Sequence, residues 1–210
     1  MHLVFIQYHY DATIKTPEEY FSRDNDKVQF YRLLHQAGME RVSIIRRAPF
    51  SQKIVTGEIN YYFIKDEYRP NLRWFDKPVK VHTTAAGIEP DLVHVYGLNL
   101  PIHFRWLRKS AGRDVVLLGQ HTGERIWLQR ILWLQQFGLR GADGFIFENG
   151  KQAEPYLKAA VILPRQSLYK IPGINKYTQK SANRLVKIYN EVYFLVFFVY
   201  FVGNYFFTNF

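Results

Sequence analysis

A chain of 210 residues, 48% apolar and 17% aromatic, can bury one sizeable core and is too apolar to be disordered. It has no cysteine, which excludes a disulfide framework and a thiolate metal site and fits a reducing compartment. The net charge of +10 favours acidic partners such as phosphates, nucleic acid or anionic lipid, and residues 151–190 hold eight Lys/Arg against one acid, Glu154. A solvated basic surface is the competing reading of that excess.

The first apolar run, HLVFIQY (2–8), reads as a buried strand followed by the polar loop HYDAT. It is too short for a secretory signal and lacks a basic flank. TPEEYFSRDNDKVQFYRLLHQAG (16–38) reads as one helix, with Thr16 as N-cap, Pro17 at the first helical position, Glu18 and Glu19 in the first turn and Gly38 as the stop. RVSIIRR (41–47) is the next strand. KIVTGEINYYFIKD (53–66) gives two short strands around Gly57, a hairpin or sheet edge. KPVKVHTTAAGIEPD predicts a helix ending before Pro90, and DLVHVYGL (91–98) a strand with His94 as a core residue. PIHFRWLRKSAGRD predicts a helix starting at Pro101, and VVLLGQH a strand. GERIWLQRILWLQQFGLRGAD (123–143) predicts a long helix, GFIFEN (144–149) a strand and GKQAEPYLKA a short helix, with VILP and SLYKIP as extended pieces. This strand–helix alternation predicts a Rossmann-like, doubly wound parallel sheet of the α/β class.

In such a sheet, ligands bind beyond the carboxyl ends of the strands. The residues that follow the strands are His9 and Asp11, then Tyr96, Gly97 and Asn99, then His121, Thr122 and Glu124, then Glu148 and Asn149. These are the candidate binding residues, expected to converge on one edge. For Thr122 and Asn149 the competing reading is helix capping.

PDLVHVYGLNLP, VVLLGQHTGE, GADGFIFENGKQAEPYL and LYKIPGI occur in that order. Order and spacing together resemble the N-terminal half of GT-B glycosyltransferases of the large retaining family 4, over residues 1 to 175 and most closely over 90–173. The resemblance implies sugar transfer from a nucleotide-sugar to a sugar or lipid-linked acceptor, with no metal and no cofactor beyond the nucleotide-sugar as co-substrate. It implies that this half binds the acceptor, and that His121 is the histidine reaching the donor sugar as the catalytic candidate. A histidine suits that position because either tautomer can hydrogen-bond a hydroxyl. The expected place is the cytoplasm, with the inner face of a membrane as a variant.

Two departures stand out. The first loop, YHYDAT, lacks the family's glycine-rich turn, so His9 is left to replace that contact or the loop to serve the acceptor. The glutamate pair and basic pair of the family's donor-binding domain are absent. On these grounds residues 176–190 are expected to be a basic linker. Residues 191–210, apolar, aromatic and uncharged from Val192 onward, are expected to be a membrane anchor, a strand, or a truncated or out-of-frame end. The chain alone is then expected to be inactive. The alternatives are a nucleotide-sugar epimerase-like half and a non-catalytic binding or membrane-associated remnant. The helix RIWLQRILWLQQFGLR could lie on an anionic membrane, with core packing as the competing reading. No nucleic-acid-reading motif is present, and the basic residues are dispersed.

Overall fold

Leu3 and Phe5 face one side of the first strand, Val4 and Ile6 the other, and all four are buried. A strand covered on both faces is what a short run without polar alternation predicts. A computed structural model of the chain describes the backbone of residues 1–208 and the side chains of 1–174 and 176–195.

The strands are β1 (His2–Gln7), β2 (Arg41–Arg47), β3 (Gln52–Thr56), β4 (Ile59–Ile64), β5 (Leu92–Tyr96), β6 (Val116–Gln120), β7 (Gly144–Phe147) and β8 (Ser167–Lys170). They form one sheet in the order β3-β4-β2-β1-β5-β6-β7-β8. All neighbours are parallel except β3 and β4, the expected edge hairpin, which turns at Gly57 with φ +61°. The helices are α1 (Pro17–Arg23), α2 (Asn25–Gln36), α3 (Val79–Gly87), α4 (Pro101–Ala111), α5 (Leu132–Leu139), α6 (Gly150–Lys158) and α7 (Gln179–Thr208). α1, α2 and α7 cover one face of the sheet and α3 to α6 the other. This is the doubly wound α/β architecture that the alternation predicts.

Three expectations change. The helix expected over 16–38 is two helices. Thr16 caps α1 as read, its hydroxyl accepting from the Glu19 amide at 3.3 Å, but the chain bends at Asp24. There the carboxylate is held by Lys27 Nζ at 2.9 Å and Arg46 Nη1 at 2.7 Å. The long helix expected over 123–143 shrinks to α5, preceded by a short 3-10 turn. Residues 124–127 are tied in non-helical form, because the Trp127 amide donates to Gln135 Oε1 at 3.0 Å and the Glu124 carbonyl accepts from Tyr156 at 3.1 Å. α5 then passes against α4 at a glycine: a Cβ on Gly138 would lie 2.3 Å from the Pro101 carbonyl carbon.

The third change is the stretch expected to be a linker and a separate tail. Both belong to α7. Ala182, Leu185, Val186, Tyr189 and Val192 repeat at helical spacing and are buried on the sheet, while Lys180, Arg184 and Lys187 stay exposed. Tyr189 hydroxyl meets His94 Nδ1 at 2.5 Å, which gives one ring nitrogen of the buried histidine of β5 a partner. The strand expectation for the tail gives way to helix, since Val192 continues the same buried stripe. Among the described residues no helix is long and apolar enough to cross a membrane. Residues 209–210 and the side chains beyond Leu195 lie outside the described residues.

Candidate functional site

β1 leads to β2 and β4 on one side and β5 leads to β6, β7 and β8 on the other, so the topological switch lies between β1 and β5. Gln7 pairs with Tyr96 at their carboxyl ends. Loops diverging from that point leave the crevice in which ligands of open α/β sheets bind.

On the β1–β2 side the polar groups hold structure together. Arg46 Nη1 donates to Gln7 Oε1 at 3.1 Å and to Asp24, its guanidinium lies 4.6 Å from the Tyr20 ring centroid, and Gln7 donates on to the Tyr31 hydroxyl at 2.7 Å. Burial opposes ionisation of Asp24, but the Lys27 ammonium and the Arg46 guanidinium outweigh it and keep the carboxyl below its ordinary range. Arg47 is fully buried. Nε and Nη2 grip the Asp66 carboxylate at 2.6 and 2.8 Å, and the remaining donors reach the carbonyls of Tyr8, Tyr68, Arg69 and Pro70. Sequence reasoning missed both arginines. The available signal was RR closing an otherwise buried strand, since a buried guanidinium must find a carboxylate and several carbonyls.

On the β5–β6 side four predicted residues come together. The Thr122 amide donates to Glu124 Oε2 at 2.7 Å, and the Thr122 hydroxyl donates to Oε1. Gly97, at φ +99°, closes the group: a Cβ there would lie 3.1 Å from both Asn99 Oδ1 and Glu124 Oε1, and 3.8 Å from Thr122 Oγ1. Glycine is needed for its conformation and because the two loops approach so closely. Asn99 and Thr122 are exposed and Glu124 half-buried. Tyr96 stands beside them, its hydroxyl 2.7 Å from that of Tyr177. Burial is the main force raising its pKa, with the Glu124 and Asp24 charges adding to it. Tyr177 itself has a left-handed backbone, φ +50°. Its place was not legible in the sequence, because it follows β8 and reaches the crevice only through the fold.

His121 is packed rather than open. Its ring is 4% exposed, stacks on Phe147 at 5.1 Å and meets Tyr156 edge-on at 5.6 Å. Nε2 donates to the Glu124 carbonyl at 2.9 Å, which leaves Nδ1 as the acceptor nitrogen, buried and without a hydrogen-bond partner among the described residues. Together with Tyr156, His121 thus fixes the loop that carries Thr122 and Glu124.

The remaining candidates stand apart. His9 is exposed. Asp11 accepts from the Thr13 amide at 2.8 Å and its hydroxyl at 2.7 Å, with Arg23 at 3.4 Å; these Thr13 bonds lower its pKa. Asn149 caps α6 by accepting from the Gln152 amide at 3.1 Å, and Gln152 Oε1 accepts from the Glu148 amide at 3.1 Å. No hydrogen bond or ion pair among the described residues links these four to the Gly97 group. A carboxylate, an amide and a hydroxyl at one spot form a hydrogen-bonding wall suited to a polyhydroxylated ligand. Among the described residues no three His, Asp or Glu side chains form a metal-binding group.

No family model matches the sequence, and no curated protein matches it either. Solved structures match the fold. A sucrose-phosphate synthase structure from Thermosynechococcus elongatus aligns with a TM-score of 0.59 at 14% identity, over 94% of this chain and 99% of that one. A structure described as trehalose-6-phosphate from E. coli bound with UDP-2-fluoro glucose aligns with a TM-score of 0.51 at 13% identity, over 76% of this chain and 42% of that one. The fold is therefore that of the Rossmann-like domains of GT-B glycosyltransferases.

Proposed function

We propose that this chain is the acceptor-side domain of a retaining glycosyltransferase of family 4, presenting the Gly97–Asn99–Thr122–Glu124 group to a sugar. The donor is a nucleotide-sugar and the acceptor a sugar, sugar phosphate or lipid-linked sugar. The observation that carries this is the meeting of those four residues, from two adjacent strand ends, beside the topological switch. Glu124 and Asn99 accept from sugar hydroxyls, as does the Thr122 oxygen, whose proton is on Glu124, and the Asn99 amide donates to them. One structural neighbour is bound with UDP-2-fluoro glucose, which supports a UDP-sugar as the first donor to try.

In this reading His121 is a positioning residue. It acts through the Glu124 carbonyl, and its buried Nδ1 becomes available to a donor sugar only if the loop opens. No metal or cofactor takes part. The contact with an anionic membrane surface suggested by the α5 region rests on exposed Trp133 and Phe137 alternating with arginines.

The experiment is an NMR titration of the whole chain with UDP-glucose, glucose 6-phosphate and fructose 6-phosphate, followed on the amides of residues 96–99 and 121–124. We expect at least one sugar to shift those amides. Glu124→Gln with Thr122→Val should abolish the response at an unchanged melting temperature. Shifts confined to other regions, or none with any of the three, would sink the proposal.

A further inference from the structure

A hollow lies at the opposite edge of the sheet, beside the amino ends of β6, β7 and β8. Its volume is about 1080 Å³. Around it stand six Lys/Arg side chains, Arg105, Arg108, Lys109, Arg113, Arg140 and Arg165, and a single carboxylate, Asp143. The carboxylate is already engaged: it accepts from Arg108 and from the Leu117 amide, the latter at 2.7 Å. Arg108 is engaged as well, reaching the carbonyls of Gly141, Gly112 and Val115. These bonds tie the end of α4, the start of β6 and the turn after α5 into one floor. Gln166 fixes the adjoining wall, donating at 2.8 Å to the carbonyls of Leu139 and Ala142.

The rim is different. Lys109, Arg113, Arg140 and Arg165 are exposed, and among the described residues none makes a side-chain hydrogen bond or ion pair. The Arg105 guanidinium carbon sits over the Phe137 ring, 4.0 Å from its centroid. A solvated basic surface would scatter its cations and mix in acids. Here the unpaired cations encircle a concavity on a rigid floor, so their fields add inside it. Guanidinium groups in such an arrangement match phosphate oxygens in geometry as well as charge.

We infer that this hollow binds a ligand carrying several phosphate groups. Arg113, Arg140, Arg165 and Lys109 bind the phosphates, and Phe137 and Leu195 border the less polar part. The ligand is either a soluble polyphosphate or the headgroup of a multiply phosphorylated lipid.

The test uses the whole chain and two probes, inorganic tripolyphosphate by calorimetry and phosphatidylcholine vesicles doped with phosphatidylinositol bisphosphate by co-sedimentation. The double variant Arg140→Glu/Arg165→Glu is compared with Arg32→Glu/Lys53→Glu, two exposed cations outside the hollow that change the net charge equally. Arg140→Gln/Arg165→Gln serves if charge reversal disturbs folding. We expect the first pair to weaken binding about tenfold or more, the size of losing charge-assisted hydrogen bonds, and the control pair to leave most of it. Vesicle binding that tripolyphosphate displaces assigns the lipid headgroup, and tripolyphosphate binding without vesicle binding assigns a soluble ligand. Equal weakening by both pairs would reduce the effect to overall charge and overturn the inference, as would failure of both probes to bind or vesicle binding insensitive to the Arg140/Arg165 changes.

Discussion

The two sides of the switch point carry similar residue types and use them differently. At the end of β2, Arg46 and Arg47 are buried, and their hydrogen bonds end on carboxylates, an amide oxygen and carbonyls of the same protein. Beyond β5 and β6, Asn99 and Thr122 are exposed, and the bonds of Thr122 run to Glu124 within its own loop. A polar group closed on the interior holds a loop in place, whereas one closed only on its neighbour can still take a ligand. The contrast separates scaffold from candidate site more sharply than residue type does.

Breaking the closed side should cost most. Arg47→Ala leaves Asp66 and four carbonyls without their partner, and should lower stability by about 3–5 kcal/mol in denaturant melts. A loss under about 1 kcal/mol would show that water replaces the guanidinium and that the β2 side is not closed. Leu185→Ala tests whether α7 belongs to the same scaffold. Burial of this side chain against the sheet predicts a loss of about 2–4 kcal/mol, and a tail merely resting on the domain predicts almost none.

Buried histidines give the scaffold a pH signature. Burial lowers His82 to about 4 and His94 and His103 to about 3. Above the unfolded value near 6.5 all are neutral in both states, and the stability is fully present. As pH falls below that value, the unfolded chain takes up protons that the fold excludes. Stability should then decline by up to about 1.4 kcal/mol per pH unit for each group, continuing toward the folded values. Melting temperatures from pH 7 to 5 should fall, and His103→Phe should flatten the slope. An unchanged slope would mean that His103 is hydrated.

The open side should respond weakly in stability and strongly in binding. Gly97→Ala forces a side chain into a left-handed backbone against Asn99 and Glu124, and should cost about 1–2 kcal/mol while moving both groups. The smallest change is Glu124→Gln, expected within about 0.5 kcal/mol of the parent because its partners are local and partly exposed. A large loss there would erase the difference between the two sides.

Much of the architecture was legible because the strands are apolar runs and the helix starts carry cap chemistry. Thr16 and Asn149 cap as their types predict. Of the candidate residues, Gly97, Asn99, Thr122 and Glu124 were readable as loops after strands, and the fold brings them together. The packing of His121 was not readable, because Phe147 and Tyr156, which enclose its ring, come from a later strand and helix.

The sequence by itself determined the alternation of strands and helices, the edge hairpin at Gly57 and the polar loops at the strand ends, since these follow from local periodicity and turn chemistry. Tertiary structure alone decided that α7 closes one face of the sheet, that Arg47 is buried on Asp66, and that exposed cations from three separate segments surround one hollow. Those outcomes depend on which side chains meet across the sheet, and hydrogen bonding and burial are settled only between groups that long stretches of chain keep apart.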